Sequence, residues 1–193
     1  MSRETMRQTR SIESAFTTRE DGEDLRIEGY FAVFNSNYQI SETMSESIAP
    51  GAFDGTLSGD VRALIDHETR LVLGRSSAGT LDLRQDERGL WGSILINPND
   101  QDAMNLYARV KRGDVNQCSF GFDILSEETD FRPDGSVHWT ITKVKLYEVS
   151  VCTFPAYAET SVQARQDEYK AHVKRRAETF RAELRARLKG GAE

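Results

Sequence analysis

The sequence predicts a mainly β chain with helices, an α+β fold made of one compact body and a helical tail. Three observations predict it. Segments that alternate apolar and polar residues recur between turn clusters through the first four-fifths of the chain. A single stretch between Asn99 and Gly113 carries apolar residues at helical spacing. After Pro155 the alternation stops, and from Asp167 a three-to-four-residue apolar repeat runs to Gly190. At 193 residues the chain has the length of one domain, since domains run to about 100–200 residues.

Taken in order, residues 1–10 are polar and are expected to be flexible. Leu25–Phe34 is rich in strand formers and ends at the turn cluster Asn35-Ser36-Asn37. Residues 38–60 show little periodicity, and Pro50-Gly51 marks a turn. Val61, Ala63 and Ile65 alternate with Arg62, Leu64 and Asp66, and a strand there places His67 in line with the first three at its end. Thr80–Arg84 and Leu90–Ile96 read as a hairpin joined through Asp86–Gly89. Asn99 and Asp100 are capping residues for a helix whose Ala103, Leu106, Tyr107 and Val110 share a face, with Gly113 ending it.

Cys118, Phe120, Phe122 and Ile124 then form the apolar face of a strand, so Ser119 projects from the opposite face beside Gly121. After the Pro133-Asp134-Gly135 turn, Val137–Thr142 and Val144–Phe154 read as two further strands. In the second, Val144, Leu146, Glu148, Ser150, Cys152 and Phe154 are expected to share a face, which makes Glu148 a carboxylate among small and apolar neighbours. The tail reads as an amphipathic helix of about five to six turns, with Tyr169, Val173, Ala177, Phe180, Leu184 and Leu188 on one stripe.

Composition excludes several classes of function. Hydrophobic residues are 38% and charged residues 29%, and 14 Gly make up most of the apolar shortfall, so a core is expected. The net charge of −6 argues against a general nucleic-acid binder. The charge is uneven. Residues 165–193 hold nine Lys/Arg and five Asp/Glu, while the rest holds 16 and 26, an acidic body with a basic tail. No apolar run approaches the roughly 20 residues of a membrane span. The first residues lack the apolar core of a secretory signal. Two distant Cys exclude a disulfide scaffold and a four-Cys zinc site, and a reducing, cytoplasmic setting is expected.

The chemistry-bearing residues are few. Of the three His, His172 reads as a solvated residue of the tail and His138 as a surface strand residue. His67 has no His or Cys at ligand spacing, and no phosphate-binding glycine loop occurs, so no metal or cofactor is expected. Cys118 reads as a buried inert thiol, and Cys152 shares the Glu148 face but reads equally well as packing. A triad needs a hydroxyl nucleophile, an imidazole and a carboxylate that fixes the imidazole tautomer. His67, Ser119 and Glu148 are the candidates, all expected on strands.

Five blocks, in one order, resemble the HK97-type phage prohead protease family. They are Ile27–Asn35 (IEGYFAVFN), Ile48–Phe53 (IAPGAF), Gly74–Leu81 (GRSSAGTL), Arg112–Phe122 (RGDVNQCSFGF) and Leu146–Ala156 (LYEVSVCTFPA). The likeness covers about residues 10–162. It implies a protease domain over residues 11–162, with 163–193 as a charged helical segment for assembly or self-cleavage. The implied fold is that of the related herpesvirus assemblins, a largely antiparallel β-barrel surrounded by helices.

The implied activity is that of a serine endopeptidase. It would cut scaffold sequence from the major capsid protein, and also itself, inside the prohead in the host cytoplasm. A homodimer is implied by the same likeness. Ser119 matches the family's nucleophile, His67 its base, and Glu148 the third member, for which Asp66, Glu68 and Asp123 compete. Cys118 stands where relatives often have Met. The alternative is a non-catalytic head-assembly or scaffold-binding protein built on the same barrel.

Overall fold

The computed structural model describes residues 8–13, 16–22, 24–154 and 159–190. Residues 1–7 of the expected flexible N-terminus, and Pro155, lie outside them. Two compact units result, Met1–Ala158 and Glu159–Glu193.

The first unit contains eleven strands among the described residues: β1 (Gln8–Glu13), β2 (Thr17–Asp21), β3 (Asp24–Val33), β4 (Tyr38–Ser41), β5 (Met44–Ile48), β6 (Arg62–Ile65), β7 (Glu68–Arg75), β8 (Leu81–Gln85), β9 (Gly89–Ile96), β10 (Gln117–Phe131) and β11 (Val137–Cys152). Helix α1 (Gln101–Arg112) lies between β9 and β10. Its capping follows the sequence: Asp100 accepts from the backbone N–H of Asp102 and Ala103, and Gly113 ends the helix at φ 87°. Ala103, Leu106, Tyr107 and Val110 are all buried, as their spacing predicts. The second unit is helix α2 (Glu159–Gly190), which begins eight residues before the expected Asp167. Along it Val173 and Phe180 are exposed.

The expected barrel is not formed. The strands make two separate sheets. The smaller is antiparallel in the order β2-β3-β9-β8. The larger runs β1-β10-β11-β5-β4, with β6 also on β11 and β7 on β6. No ladder among the described residues joins the two, so neither sheet closes. The larger sheet is also mixed, because β5 and β6 both run parallel to β11. The physical reason lies in β11, whose 16 residues pair with β10 along one edge. Its other edge is divided between β5 at 137–141 and β6 at 148–151, strands too short to carry a continuous ladder around a barrel. One core joins the sheets: Ile27, Phe31, Leu90 and Ile94 of the smaller meet Phe120, Phe122, Val149 and Val151 of the larger. The Cys118 thiol adds a tie, donating to the Tyr30 carbonyl at 3.1 Å.

Val137–Cys152 is one strand rather than two, and it contains a bulge that changes which residues share a face. Gly121 faces Glu148, but Phe122 faces Leu146, so Tyr147 is the extra residue. Val144 and Leu146 therefore join Phe122 in the core, whereas Glu148 and Ser150 lie on the other face with Gly121 and Ser119. The expected single face from Val144 to Phe154 is split at Tyr147.

Candidate active site

The candidate site is built where β10, β11 and the β6–β7 turn meet. Ser119 on β10 pairs with Ser150 on β11, and Gly121 with Glu148, which puts these four residues on one face. Phe120 and Phe122 occupy the opposite face, with ring centroids 4.8 Å apart. The apolar alternation of β10 thus fixes where Ser119 points.

His67 is not on a strand. It is the second residue of the tight turn between β6 and β7, where Ile65 pairs with Glu68. Asp66 and His67 both take positive φ, 48° and 61°, the left-handed pair that a two-residue hairpin with right-twisted strands requires. Asp66 is one of the few non-glycine types that tolerate this region. It is anchored as well: its carboxylate accepts from the Thr153 N–H at 2.8 Å, and its own N–H donates to the Val151 carbonyl at 3.1 Å. The turn is thereby clamped to the end of β11, and the imidazole is turned back over the Glu148 face.

The imidazole Nδ1 lies 2.7 Å from Glu148 Oε1. A carboxylate accepts and does not donate, so Nδ1 carries the hydrogen and Nε2 keeps its lone pair. Glu148 is 3% exposed, and burial of a carboxylate requires donors. It has a second one, the Ser150 hydroxyl, which donates to Oε2 at 2.6 Å and stands 3.4 Å from His67 Nδ1. The missing side chain at Gly121 makes the space. A Cβ there would fall on Glu148 Oε1 and within 3.0 Å of Cδ.

The other carboxylates that compete for the third position are engaged elsewhere. Asp66 holds Thr153, Asp123 accepts from the Tyr147 hydroxyl at 2.5 Å, and Glu68 pairs with Arg70 at 3.6 Å on the surface. Ser119 is fully buried. No hydrogen bond joins it to His67 among the described residues. Its Oγ and His67 Nε2 are both buried without a partner, one a potential donor and the other an acceptor. Buried polar atoms without partners are uncommon and costly, and each calls for an explanation.

Neither cysteine joins the site as a nucleophile. Burial, with Asp66 and Glu148 nearby, pushes the Cys152 thiol up to about 12. His138 is a strand residue, as expected, but half-buried. It bridges two hydroxyls, Ser45 to Nδ1 and Ser47 to Nε2, both at 2.8 Å. Sequence reasoning missed Ser150. The signal available was the spacing Glu-x-Ser, which on a strand sets a hydroxyl beside a carboxylate on one face.

The chain belongs to the caudovirus prohead serine protease family, whose model matches residues 13–175. The match continues past Val162 into α2, beyond the expected limit of the likeness. The chain is 30% identical over 148 residues to the prohead protease of Enterobacteria phage HK97, covering 75% of this chain and 61% of that protein. It thus spans less than two thirds of that relative's length. Among solved structures, the bacteriophage T4 capsid assembly protease gp21 aligns with a TM-score of 0.47 and 11% identity, over 76% of this chain and 98% of that one.

Proposed function

We propose that this chain is a serine endopeptidase of phage head maturation, with Ser119 as nucleophile, His67 as base and Glu148 as the carboxylate that fixes the imidazole. The observation that carries this reading is the 2.7 Å contact of His67 Nδ1 with Glu148 Oε1, which leaves Nε2 unpartnered. In this reading Nε2 takes the Ser119 hydroxyl proton as Oγ attacks the scissile carbonyl. Glu148 stabilises the resulting imidazolium. The imidazolium then gives its proton to the leaving amine, and water releases the acyl group by the same route.

The substrate is the capsid protein's scaffold segment, and the chain itself, inside the prohead in the host cytoplasm. Residues 11–162 form the protease domain. Residues 163–193 are a charged helical segment for assembly or self-cleavage, and the active form is a homodimer. The test is intact mass measurement after incubation with the matching capsid precursor. Cleavage by the parent and none by Ser119→Ala is expected, and equal cleavage by both overturns the assignment. The complete burial of Ser119 favours a second reading, a non-catalytic assembly protein, for which neither chain yields products.

A further inference from the structure

Most buried hydroxyls are hydrogen-bonded, and Ser150 is 0% exposed. Its Oγ donates to Glu148 Oε2 at 2.6 Å, two residues back on the same strand face. Oε1 of the same carboxylate receives His67 Nδ1–H. The carboxyl group is thus held at both oxygens, and it packs directly against the backbone of Gly121. A glutamate held only at Oε1 keeps freedom about its terminal torsion, which is broad and without sharp wells.

We propose that Ser150 is a positioning residue. It fixes the plane of the Glu148 carboxylate so that Oε1 meets His67 Nδ1–H, and it shares the carboxylate charge. This rests on the protease reading only for its kinetic consequence; the link from Ser150 through Glu148 to His67 is independent of it. The other charged groups near this cluster are Asp66 in the turn and Arg62, which faces Glu148 from β6 but pairs with Asp60 at 3.3 Å; the Cys152 thiol, also nearby, is held neutral.

Removing a donor from an anionic acceptor raises the proton affinity of that acceptor. Loss of the Ser150 hydroxyl therefore leaves Glu148 with His67 Nδ1–H alone as a side-chain donor and raises the affinity of the Glu148–His67 link for a proton.

The test uses the full chain with Ser150→Ala and Ser150→Thr. A fluorophosphonate is the probe, and its adduct at Ser119 is followed by mass against pH. The His67 ring is titrated in parallel by NMR. Ser150→Ala is expected to move the acid limb of labelling and the ring midpoint up by about one pH unit, and so to slow labelling about tenfold on the acid side of that limb. Ser150→Thr, which restores a hydroxyl, is expected to bring both back. An unchanged ring midpoint in Ser150→Ala, even with a lower melting temperature, overturns the proposal and makes Ser150 a packing residue. An adduct on Ser150 itself in Ser119→Ala overturns it too. If the parent is not labelled at all, the protease reading fails while the ring titration still decides the role of Ser150.

Discussion

Gly121→Ala is the sharpest perturbation of the site, because it adds one carbon and removes nothing. The new Cβ would sit on Glu148 Oε1, 3.0 Å from Cδ and 3.1 Å from Cγ. Gly121 is not among the glycines with positive φ, so alanine fits its backbone and the clash is purely steric. Two routes relieve it. The strands can part, which as overpacking costs about 1–3 kcal/mol. Or the carboxylate can swing away from His67 and Ser150, which forfeits bonds to a charged group of about 1.5–3 kcal/mol each. The cheaper route sets the cost at about 1–3 kcal/mol, and at about 2–4 °C per kcal/mol the melting temperature falls by about 2–12 °C. If the carboxylate swings, the imidazole loses its guide, and hydrolysis falls by up to about four orders of magnitude. The assay is thermal melting and peptide hydrolysis of Gly121→Ala, alone and in a Glu148→Ala background. In that background the added carbon meets no carboxylate and is expected to cost little. Equal cost in both backgrounds, or parent-like melting and hydrolysis in Gly121→Ala, would refute the reasoning.

Three further outcomes follow from other parts of the fold. Arg10 and Glu46 form a buried bidentate ion pair, with the guanidinium 5.7 Å from the rings of Tyr38 and Phe122. Arg10→Ala leaves the carboxylate buried, and melting should show a loss of about 3–5 kcal/mol, with Arg10→Met/Glu46→Leu recovering part of it. Burial lowers the His138 pKa, with a smaller push from Arg132. Its folded value lies below its unfolded one, so its contribution to stability is present above about pH 6.5 and is lost as pH falls below that. The drop in melting temperature from pH 7.5 to 5.5 should be smaller in His138→Gln. With its thiol pushed up to about 12, Cys152 should resist iodoacetamide at pH 8 in the native chain and react once the chain is unfolded.

The legible parts of the fold were those whose residues alternate in chemistry. β3, β8 and α1 bury one face, and their alternation or helical spacing shows it, while the start of β10 is buried on both faces but alternates Phe120 and Phe122 with Ser119, Gly121 and Asp123. β5 was not legible, because all five residues are buried while Ser45, Glu46 and Ser47 are polar and satisfied by His138 and Arg10. β7 was missed for the opposite reason: its first five residues are largely exposed on both faces. The barrel expectation failed because closure depends on which strands pair, and the parallel pairing of β5 and β6 with β11 leaves no local trace.

At the site, His67 and Glu148 were named from the sequence and meet in space. The turn that carries His67 was not foreseen, since Asp66-His67 lacks the glycine that usually marks a left-handed pair. The bulge at Tyr147 was equally hidden. It moves Leu146 to the core and Glu148 to the Ser119 face, which removes the puzzle of a carboxylate among apolar neighbours.

The central claim is that His67, held by Glu148, makes Ser119 a nucleophile. The most direct measurement is intact mass and peptide mapping after reaction with a fluorophosphonate, on the parent, Ser119→Ala and His67→Ala. The account predicts one adduct per parent chain, mapped to Ser119 and absent from both variants. No adduct on the parent, or an adduct that persists in Ser119→Ala, would contradict it.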